Sequence, residues 1–308
     1  MIASSIDRFT LWQRRITVRQ LGLLALATAA VTAGLIVYGA WVRASGSGLG
    51  CPSWPNCSGE GTAAVIEMGH RLWAGVAMLM VLAATVLGIM RRHEIPGPSR
   101  LLVGGALLIL VQAALGGVTV LTELHGFVRL THLALGMGIL GLLTGAGLWL
   151  IGAQPRRPIL PLRPWHLTLM GAAVIMVGGS IVATQTTFDC STLPTCDGGS
   201  SSMATWLHTI HRSLAVVLAL GSALTAWRMW RSGATGLELK ATVGLFVLVV
   251  SQIGVGIAAV AVDVPEGLRV LHVAFAAMIW WTLTGLWSLS LLADRARPFA
   301  ATVPVTAH

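Results

Sequence analysis

Residues 67–90 read EMGHRLWAGVAMLMVLAATVLGIM, and residues 208–229 read HTIHRSLAVVLALGSALTAWRM. In both stretches a His-Arg pair stands at the start of a long apolar run that carries almost no charge. A helix needs about 20 apolar residues to cross the ~30 Å hydrocarbon core of a bilayer. The two stretches therefore predict two transmembrane helices, each with a histidine near one end.

Apolar runs of this kind recur along the whole chain, at roughly 19–40, 66–90, 101–122, 125–151, 165–184, 203–229, 239–262 and 267–292. Of the 308 residues, 55% are hydrophobic and 10% are charged, and the mean hydropathy is +0.80. A soluble protein of this length would need a more polar surface. We therefore predict an all-α membrane protein with eight transmembrane helices, whose first helix is too long for a signal peptide and is retained.

The net charge of +9 follows the predicted topology. Fifteen of the 20 Lys and Arg residues lie in the N-terminus, the 91–100, 152–164 and 228–240 segments and the C-terminal tail. These segments share one side of an eight-helix topology, and basic loops remain in the cytoplasm. Both termini are therefore predicted to be cytoplasmic, and the charge does not predict nucleic-acid binding.

Polar residues recur about 140 positions apart, which indicates an internal duplication. The pairs are Cys51 and Cys190, Cys57 and Cys196, His70 and His211, Arg71 and Arg212, Gln112 and Gln252, Gly116 and Gly256, Arg129 and Arg269, and His132 and His272. Two halves of four helices that start on the same side are parallel repeats. We predict two four-helix bundles, residues 1–151 and 165–308, joined by a cytoplasmic linker at 152–164 and ending in a disordered tail from residue 295.

All four cysteines lie in the two longest outer loops, as two pairs with the same spacing. An oxidising outer compartment favours one disulfide within each loop, Cys51 with Cys57 and Cys190 with Cys196. A pair of free thiols or a zinc site is the less favoured alternative, because neither loop contains a histidine to complete a zinc site. Whether the disulfides are structural or redox-active is left open by the sequence.

Two histidines at similar depth in each half predict haem ligation. His70 and His132 stand in the first half, and His211 and His272 repeat them in the second. Two histidines on two helices of one bundle can bind a b-type haem axially, and polar residues inside a membrane span usually have a function. A hydrogen bond to a neighbouring helix is the alternative for any single histidine. The duplicated register favours haem iron ligands, and no other metal is predicted.

Arginines near these histidines are candidate partners for haem propionates. Arg129 and Arg269 each lie three residues before a ligand histidine and share its helical face. A guanidinium binds a carboxylate bidentately. Arg71 and Arg212 directly follow the other two histidines, and propionate contact and interfacial anchoring explain them equally well. Arg43 has no basic counterpart in the second half and is expected at the membrane interface.

Glu67 is the position at which the two halves differ in chemistry. It precedes His70 by one helical turn on the same face, whereas the second half has His208 at the same place. A carboxylate in one half alone indicates that this half carries out chemistry while the other holds a permanent cofactor. The alternative is that Glu67 is interfacial and pairs with Arg71. His208 is interpreted as a neighbouring group or an alternative ligand to His211.

These residues together resemble the haem A synthase family. The resemblance rests on RASGSGLGCPSWPNC at residues 43–57 and on Glu67-x-x-His70-Arg71, and it extends through Arg129-x-x-His132, Ile210-His211-Arg212 and Leu271-His272. It covers almost the whole chain, and the length is similar to that of the bacterial form. The loop joined to Glu-x-x-His-Arg is the specific part of the match.

The resemblance implies oxidation of the C8 methyl group of haem O, through hydroxymethyl and hydrated-aldehyde stages, to the formyl group of haem A, which supplies terminal oxidases. It implies that His70 and His132 ligate the substrate haem O, that His211 and His272 ligate a haem B cofactor, and that Glu67 is the catalytic carboxylate. A haem O synthase, membrane lipid and an unidentified electron acceptor are the implied partners. The implied location is the bacterial cytoplasmic membrane, and the oligomeric state is left open.

Two other classes of function compete with this interpretation. A bis-histidine di-haem electron carrier, such as a quinone-linked b cytochrome, explains every histidine but not the unpaired Glu67. A transporter explains parallel repeats but not four histidines in register. Bound haem would distinguish the enzyme and the electron carrier from a transporter. The haem product would distinguish the enzyme from the electron carrier.

Overall fold

The computed structural model describes residues 16–152, 164–196 and 202–300, with side chains described up to residue 294. Eight helices run as α1 Val18–Ala44, α2 Gly61–Met90, α3 Pro96–Leu121, α4 Gly126–Leu150, α5 Trp165–Ala183, α6 Ser202–Arg231, α7 Leu237–Ala261 and α8 Glu266–Ala300. A short 3₁₀ turn, Ser47–Leu49, follows α1, and the described residues contain no strand. Most of the predicted linker, residues 153–163, and the end of the predicted tail, residues 301–308, lie outside the described residues. Because α8 continues to Ala300, the disordered tail predicted from residue 295 was wrong for residues 295–300.

All eight helices are long and apolar enough to cross a membrane, with α8 doing so over Glu266–Asp294. The predicted all-helical fold with eight membrane-spanning helices is thereby confirmed. The helix ends follow local chemistry. At the start of α1 the hydroxyl of Thr17 accepts from Gln20 N, and the Gln20 side chain accepts from Thr17 N, which satisfies two free backbone donors. Pro96 begins α3, where a missing N–H is harmless.

The helices pack as two neighbouring rings. Consecutive helices from α1 to α4 contact each other and α4 returns to α1, while α5 to α8 repeat this pattern and α8 returns to α5. The two rings meet where α8 packs on α1 and α4, and where α4 packs on α5. The indole N–H of Trp280 on α8 donates to Met137 O on α4 at 2.7 Å, which joins the rings directly.

The apolar core of each ring lies toward the helix ends that are predicted to be cytoplasmic. In the first ring Leu21 at the start of α1, Leu102 at the start of α3 and Leu143 late in α4 are almost completely buried together. Leu245 and Leu283 play the same part in the second ring. The candidate histidines come from the opposite ends of the helices, so the polar site lies apart from this core.

The outer connections also match between the rings. Leu124 and Val264 adopt the left-handed backbone conformation after α3 and α7, and each N–H bonds back to the last turn of its helix, at 2.8 Å to Thr119 O and 2.7 Å to Ala259 O. The following helices begin at once, so their first turns lie at the outer face. The two longer outer loops follow α1 and α5.

Each of these longer loops is closed by a disulfide. Cys51 pairs with Cys57, with a Cα–Cα distance of 4.7 Å, and Cys190 pairs with Cys196, at 5.1 Å. Both pairs are those predicted from the sequence, and they use all four cysteines of the chain.

Candidate functional site

The carboxylate of Glu67 is buried and bonded to the first outer loop. Its side chain lies on α2, and the residue is 4% exposed. Oε2 accepts a 2.8 Å hydrogen bond from Cys51 N, and Oε1 accepts from Arg71 Nη2 at 2.5 Å. The alternative that pairs Glu67 with Arg71 is thus seen in the structure, with Glu67 buried and Arg71 partly buried. Because each carboxylate oxygen has two acceptor sites, both oxygens can accept a further hydrogen bond.

Arg71 and Arg212 hold the two disulfide loops in corresponding ways. Arg71 Nη1 donates to Ser53 O at 2.9 Å, and its other loop contacts are also backbone carbonyls. Arg212 Nη1 donates to Pro194 O at 2.8 Å and to a second loop carbonyl at 2.9 Å. These guanidinium groups therefore already have oxygen partners. Propionate contact by these two arginines stays a prediction and would compete with the loop contacts.

His208 contacts the second loop at the position where the first half has Glu67. Its Nε2 lies 3.0 Å from Thr186 O, and the residue is 9% exposed. Because a carbonyl oxygen only accepts, the Nε2 of His208 must carry the proton in this contact. That nitrogen is then occupied by the loop backbone, so His211 remains the ligand candidate on α6.

The rings of His211 and His272 face each other across the second half. Their centres are 6.3 Å apart. An imidazole nitrogen binds a first-row metal ion at roughly 2 Å and lies about 1 Å from its own ring centre, so two rings on opposite sides of one ion have centres about 6 Å apart. His211 Nδ1 also lies 3.1 Å from Val174 O, which places the proton on Nδ1 and leaves Nε2 free to bind a metal. The pair fits the two axial positions of a haem iron.

His70 is the tenth residue of α2 and His132 the seventh of α4, and His211 and His272 hold the same positions in α6 and α8. The Nδ1 atoms of His70, His132 and His272 are all buried without a hydrogen-bond partner among the described residues. The alternative in which a hydrogen bond from Nδ1 to a neighbouring helix explains a buried histidine therefore does not apply to these three. Gln112 instead donates to the backbone oxygen of His132 at 2.8 Å.

Each candidate histidine ring lies against a glycine of a neighbouring helix, where a Cβ would approach the ring. The distances from such a Cβ to the ring Cε1 are 3.2 Å for Gly39 and His70, 3.8 Å for Gly116 and His132, 2.8 Å for Gly178 and His211, and 3.3 Å for Gly256 and His272. Gly116 and Gly256 are one of the repeated pairs found in the sequence, whereas Gly39 and Gly178 were not among those pairs. Gly39 and Gly178 share the spacing of the repeat, which is the signal that could have revealed them.

A cluster of aromatic side chains, centred on Tyr38, lies beside His70, and the ring contacts of the described residues include no such cluster beside His211. The ring of Tyr38, the one tyrosine of the chain, lies 5.8 Å from His70, 5.3 Å from Trp41 and 5.6 Å from Trp73, measured between ring centres. Val177 occupies the position of Tyr38 in the second half. The two halves therefore differ in the surroundings of their histidines as well as at Glu67.

Three arginines gather where the two rings of helices meet. Arg43, expected at the membrane interface, lies in the last turn of α1; its Nε is buried, and it is within electrostatic range of Arg129 and Arg269. Arg269 Nη2 donates to Ala44 O at 3.2 Å, which joins α8 to the end of α1. The position of Arg43 at the membrane interface stays a prediction, while its neighbours come from distant parts of the chain because α1 packs on α4 and α8.

Comparison with known proteins assigns the family. A model of the COX15-CtaA family, described as cytochrome oxidase assembly protein, matches residues 22–64 and 60–284. The chain belongs to this family. The resemblance to haem A synthases noted in the sequence is thereby confirmed, and the family is associated with haem.

Individual members and relatives cover most of the chain. The protein named Heme A synthase in Shewanella oneidensis is 29% identical over 86% of this chain and 94% of its own length. The Heme A synthase of Symbiobacterium thermophilum is 29% identical over 68% of this chain and 77% of its length. A Protoheme IX farnesyltransferase of Thermus thermophilus is 27% identical over 79% of this chain but only 44% of its own length.

His211 and His272 are the histidine pair whose rings lie 6.3 Å apart in the structure. Among the described residues, no three His, Cys, Asp or Glu side chains converge as a metal site. Two histidines facing each other across a bundle suit a porphyrin iron, whose other four ligands come from the macrocycle.

Proposed function

We propose that this chain is a haem A synthase, which oxidises the C8 methyl group of haem O to the formyl group of haem A. The main supporting observation is that Glu67 lies one turn from His70 in the first half. The second half has His208 at that place, hydrogen-bonded to the second outer loop. An electron carrier with two equivalent bis-histidine haems would not require a carboxylate in one half alone. Membership of the COX15-CtaA family supports the same function.

The proposal divides the chain into a substrate half and a cofactor half. Residues 1–151 would bind haem O through His70 and His132, and residues 165–308 would bind haem B through His211 and His272. The 6.3 Å separation of the His211 and His272 rings supports the cofactor site. Haem B would supply one-electron redox chemistry between the substrate and an external acceptor.

Glu67 is the proposed catalytic carboxylate. Positive charge develops at a methyl carbon from which electrons are removed, and a fixed carboxylate can stabilise that charge or take a proton from attacking water. The hydrogen bonds from Cys51 N and Arg71 hold the carboxylate in one orientation, and each oxygen keeps one further acceptor site. Arg71 would thus act as a positioning residue rather than by contact with substrate.

The aromatic cluster of Tyr38, Trp41 and Trp73 belongs to the substrate half. It packs against His70 on the side of α1, with the Tyr38 ring edge-on to the imidazole. We propose that this cluster fixes the orientation of His70 and excludes water from that face of the substrate site.

A haem O synthase is the proposed partner. A relative named for protohaem farnesyl transfer contains a region similar to 79% of this chain in less than half of its own length. Farnesyl transfer makes the substrate of the proposed reaction, so the two activities would act in succession. The basic segments between the helices support a location in the bacterial cytoplasmic membrane with both termini in the cytoplasm.

The test is chromatography of haems extracted from cells that co-express this chain with a haem O synthase. Haem A, or its hydroxymethyl intermediate, is expected only when this chain is present. Unchanged haem O beside protein-bound haem B, with redox partners present, would instead support the di-haem electron carrier. Cells expressing the His132→Ala variant provide the matched background, because that variant keeps the proposed cofactor site.

A further inference from the structure

The three arginines at the junction of the two halves come from three helices that pack on one another. Arg43 lies in the last turn of α1, Arg129 in the first turn of α4 and Arg269 in the first turn of α8. The hydrogen bond from Arg269 Nη2 to Ala44 O, at 3.2 Å, crosses from the second half to the first. The cluster therefore belongs to neither half alone.

The cluster has positive charge without a balancing carboxylate. The Nε atoms of Arg43, Arg129 and Arg269 are buried and have no hydrogen-bond partner, and no ion pair joins any of the three to a carboxylate within the described residues. Buried charges that lack a partner are strongly unfavourable, and like charges add to the penalty. Arg129 and Arg269 also stand at helix N-termini, where the helix dipole disfavours cations and favours anions. An anion is therefore expected here.

The position of the three arginines indicates which anionic group they would bind. Arg129 precedes His132 by one turn and Arg269 precedes His272 by one turn, so each arginine shares a helical face with a proposed haem ligand. The other two outer arginines, Arg71 and Arg212, already bond loop carbonyls. A guanidinium group binds a carboxylate through two parallel hydrogen bonds.

We propose that Arg43, Arg129 and Arg269 form one shared site that binds propionate carboxylates of both haems at the junction of the halves. This inference rests on the proposed function, which places a haem in each half. Arg43 gives the site its shared character, because it is a first-half residue next to Ala44, whose carbonyl oxygen accepts from Arg269, and because α1 packs on both α4 and α8. A ligand bound to one half would therefore change the electrostatic surroundings of the haem in the other, which is a coupling between two sites.

The test compares Arg43→Gln with the wild-type chain, both purified full-length with haem B bound. The probes are iron protoporphyrin IX and its dimethyl ester, titrated into the substrate half by difference spectroscopy. Wild-type protein is expected to bind the free acid roughly ten- to a hundredfold more tightly than the ester. In Arg43→Gln that ratio should fall toward one, and the midpoint potential of haem B in the other half should also fall, because a nearby positive charge favours reduced haem.

Arg19→Gln is the matched control, since Arg19 is an exposed arginine at the other end of the same helix. It should keep both the ratio and the potential. If Arg43→Gln does not accumulate, Arg43→Lys retains the charge without the bidentate geometry and should give an intermediate ratio. An unchanged ratio together with an unchanged potential in these variants would overturn the shared site.

A phospholipid phosphate has similar chemistry to a propionate and is the competing source of the anion. In that case Arg43→Gln would release co-purified lipid phosphorus while the acid-to-ester ratio kept its wild-type value, which would also overturn the proposal. These are measurements of binding and potential. A wild-type protein that makes no haem A but distinguishes acid from ester would contradict the proposed function and leave the shared site standing.

Discussion

The backbone N–H of Cys51 donates a 2.8 Å hydrogen bond to Oε2 of Glu67. This bond links the disulfide loop directly to the carboxylate proposed to act on the substrate, one turn from His70. Glu67 therefore has two separable roles, in chemistry and in holding the loop. An experiment on Glu67 must distinguish between them.

Replacing Glu67 by glutamine should remove most of the haem A. The amide keeps the size of the side chain and an oxygen that can accept from Cys51 N, but it loses the negative charge. We expect haem B to be retained and haem A output to fall by roughly 10²- to 10⁴-fold, the usual contribution of a positioned acid or base. Extracted haems and the low-spin spectrum measure the two quantities.

Arg71→Gln separates the two roles, because it releases the loop carbonyls while Glu67 keeps its charge and its hydrogen bond from Cys51 N, although it loses the bond from Arg71. A smaller loss of haem A than in Glu67→Gln is expected. Equal losses in the two variants would assign Glu67 to holding the loop, and near-normal output in Glu67→Gln would remove it from the mechanism.

The two pairs of histidines should respond differently to alanine substitution. His272→Ala removes one of the two rings that lie 6.3 Å apart, so the low-spin haem B signal should be lost. His132→Ala should retain that signal and abolish haem A formation. Absorption spectra of the purified variants check both expectations, and an unchanged spectrum in His272→Ala would show that the cofactor site is assigned wrongly.

The glycines next to the histidine rings should tolerate alanine better, the farther the added Cβ would lie from the ring. A Cβ at position 178 would lie 2.8 Å from His211 Cε1, and one at position 256 would lie 3.3 Å from His272 Cε1. We expect Gly178→Ala to shift or abolish the haem B bands and Gly256→Ala to do so more weakly. Low-spin spectra and haem content per protein are the measurements.

Gly254→Ala is the control for this series. It lies on the same helix as Gly256, and an added Cβ there meets no atom within 4 Å. Because alanine is the better helix former by about 1 kcal/mol, this variant should accumulate at least as well as the wild type and keep its spectrum. Loss of haem B in Gly254→Ala would mean that the series reports general helix packing instead of ring clearance.

The four cysteines should resist alkylation until they are reduced. Both pairs form disulfides, and the structure contains no free cysteine. Mass spectrometry of denatured protein treated with iodoacetamide should therefore find no label without reductant, and labels on all four cysteines after reduction. Labelled thiols in the unreduced sample, from membranes prepared without reductant, would contradict the pairing.

Composition and periodicity were sufficient to predict the helices, because a membrane span must present apolar residues to lipid along nearly its whole length. The bounds of α4, predicted at roughly 125–151, are Gly126–Leu150 in the structure. The repeat of about 140 residues identified the histidines. The cysteine pairs could be predicted because a short spacing within one loop limits which side chains can meet. The position of Glu67 on the face of His70 follows from the same helical period.

Contacts between distant segments were beyond the reach of these patterns. Nothing in the sequence around Arg43 predicts that Arg269 will bond to the neighbouring carbonyl of Ala44, because helix packing, rather than local periodicity, brings α8 against α1. The contact of the His211 ring with Gly178 and the hydrogen bond from Cys51 N to Glu67 also result from packing between separate segments. An apolar pattern determines that a helix lies in the membrane, whereas the interlocking of side chains determines which helix lies beside it.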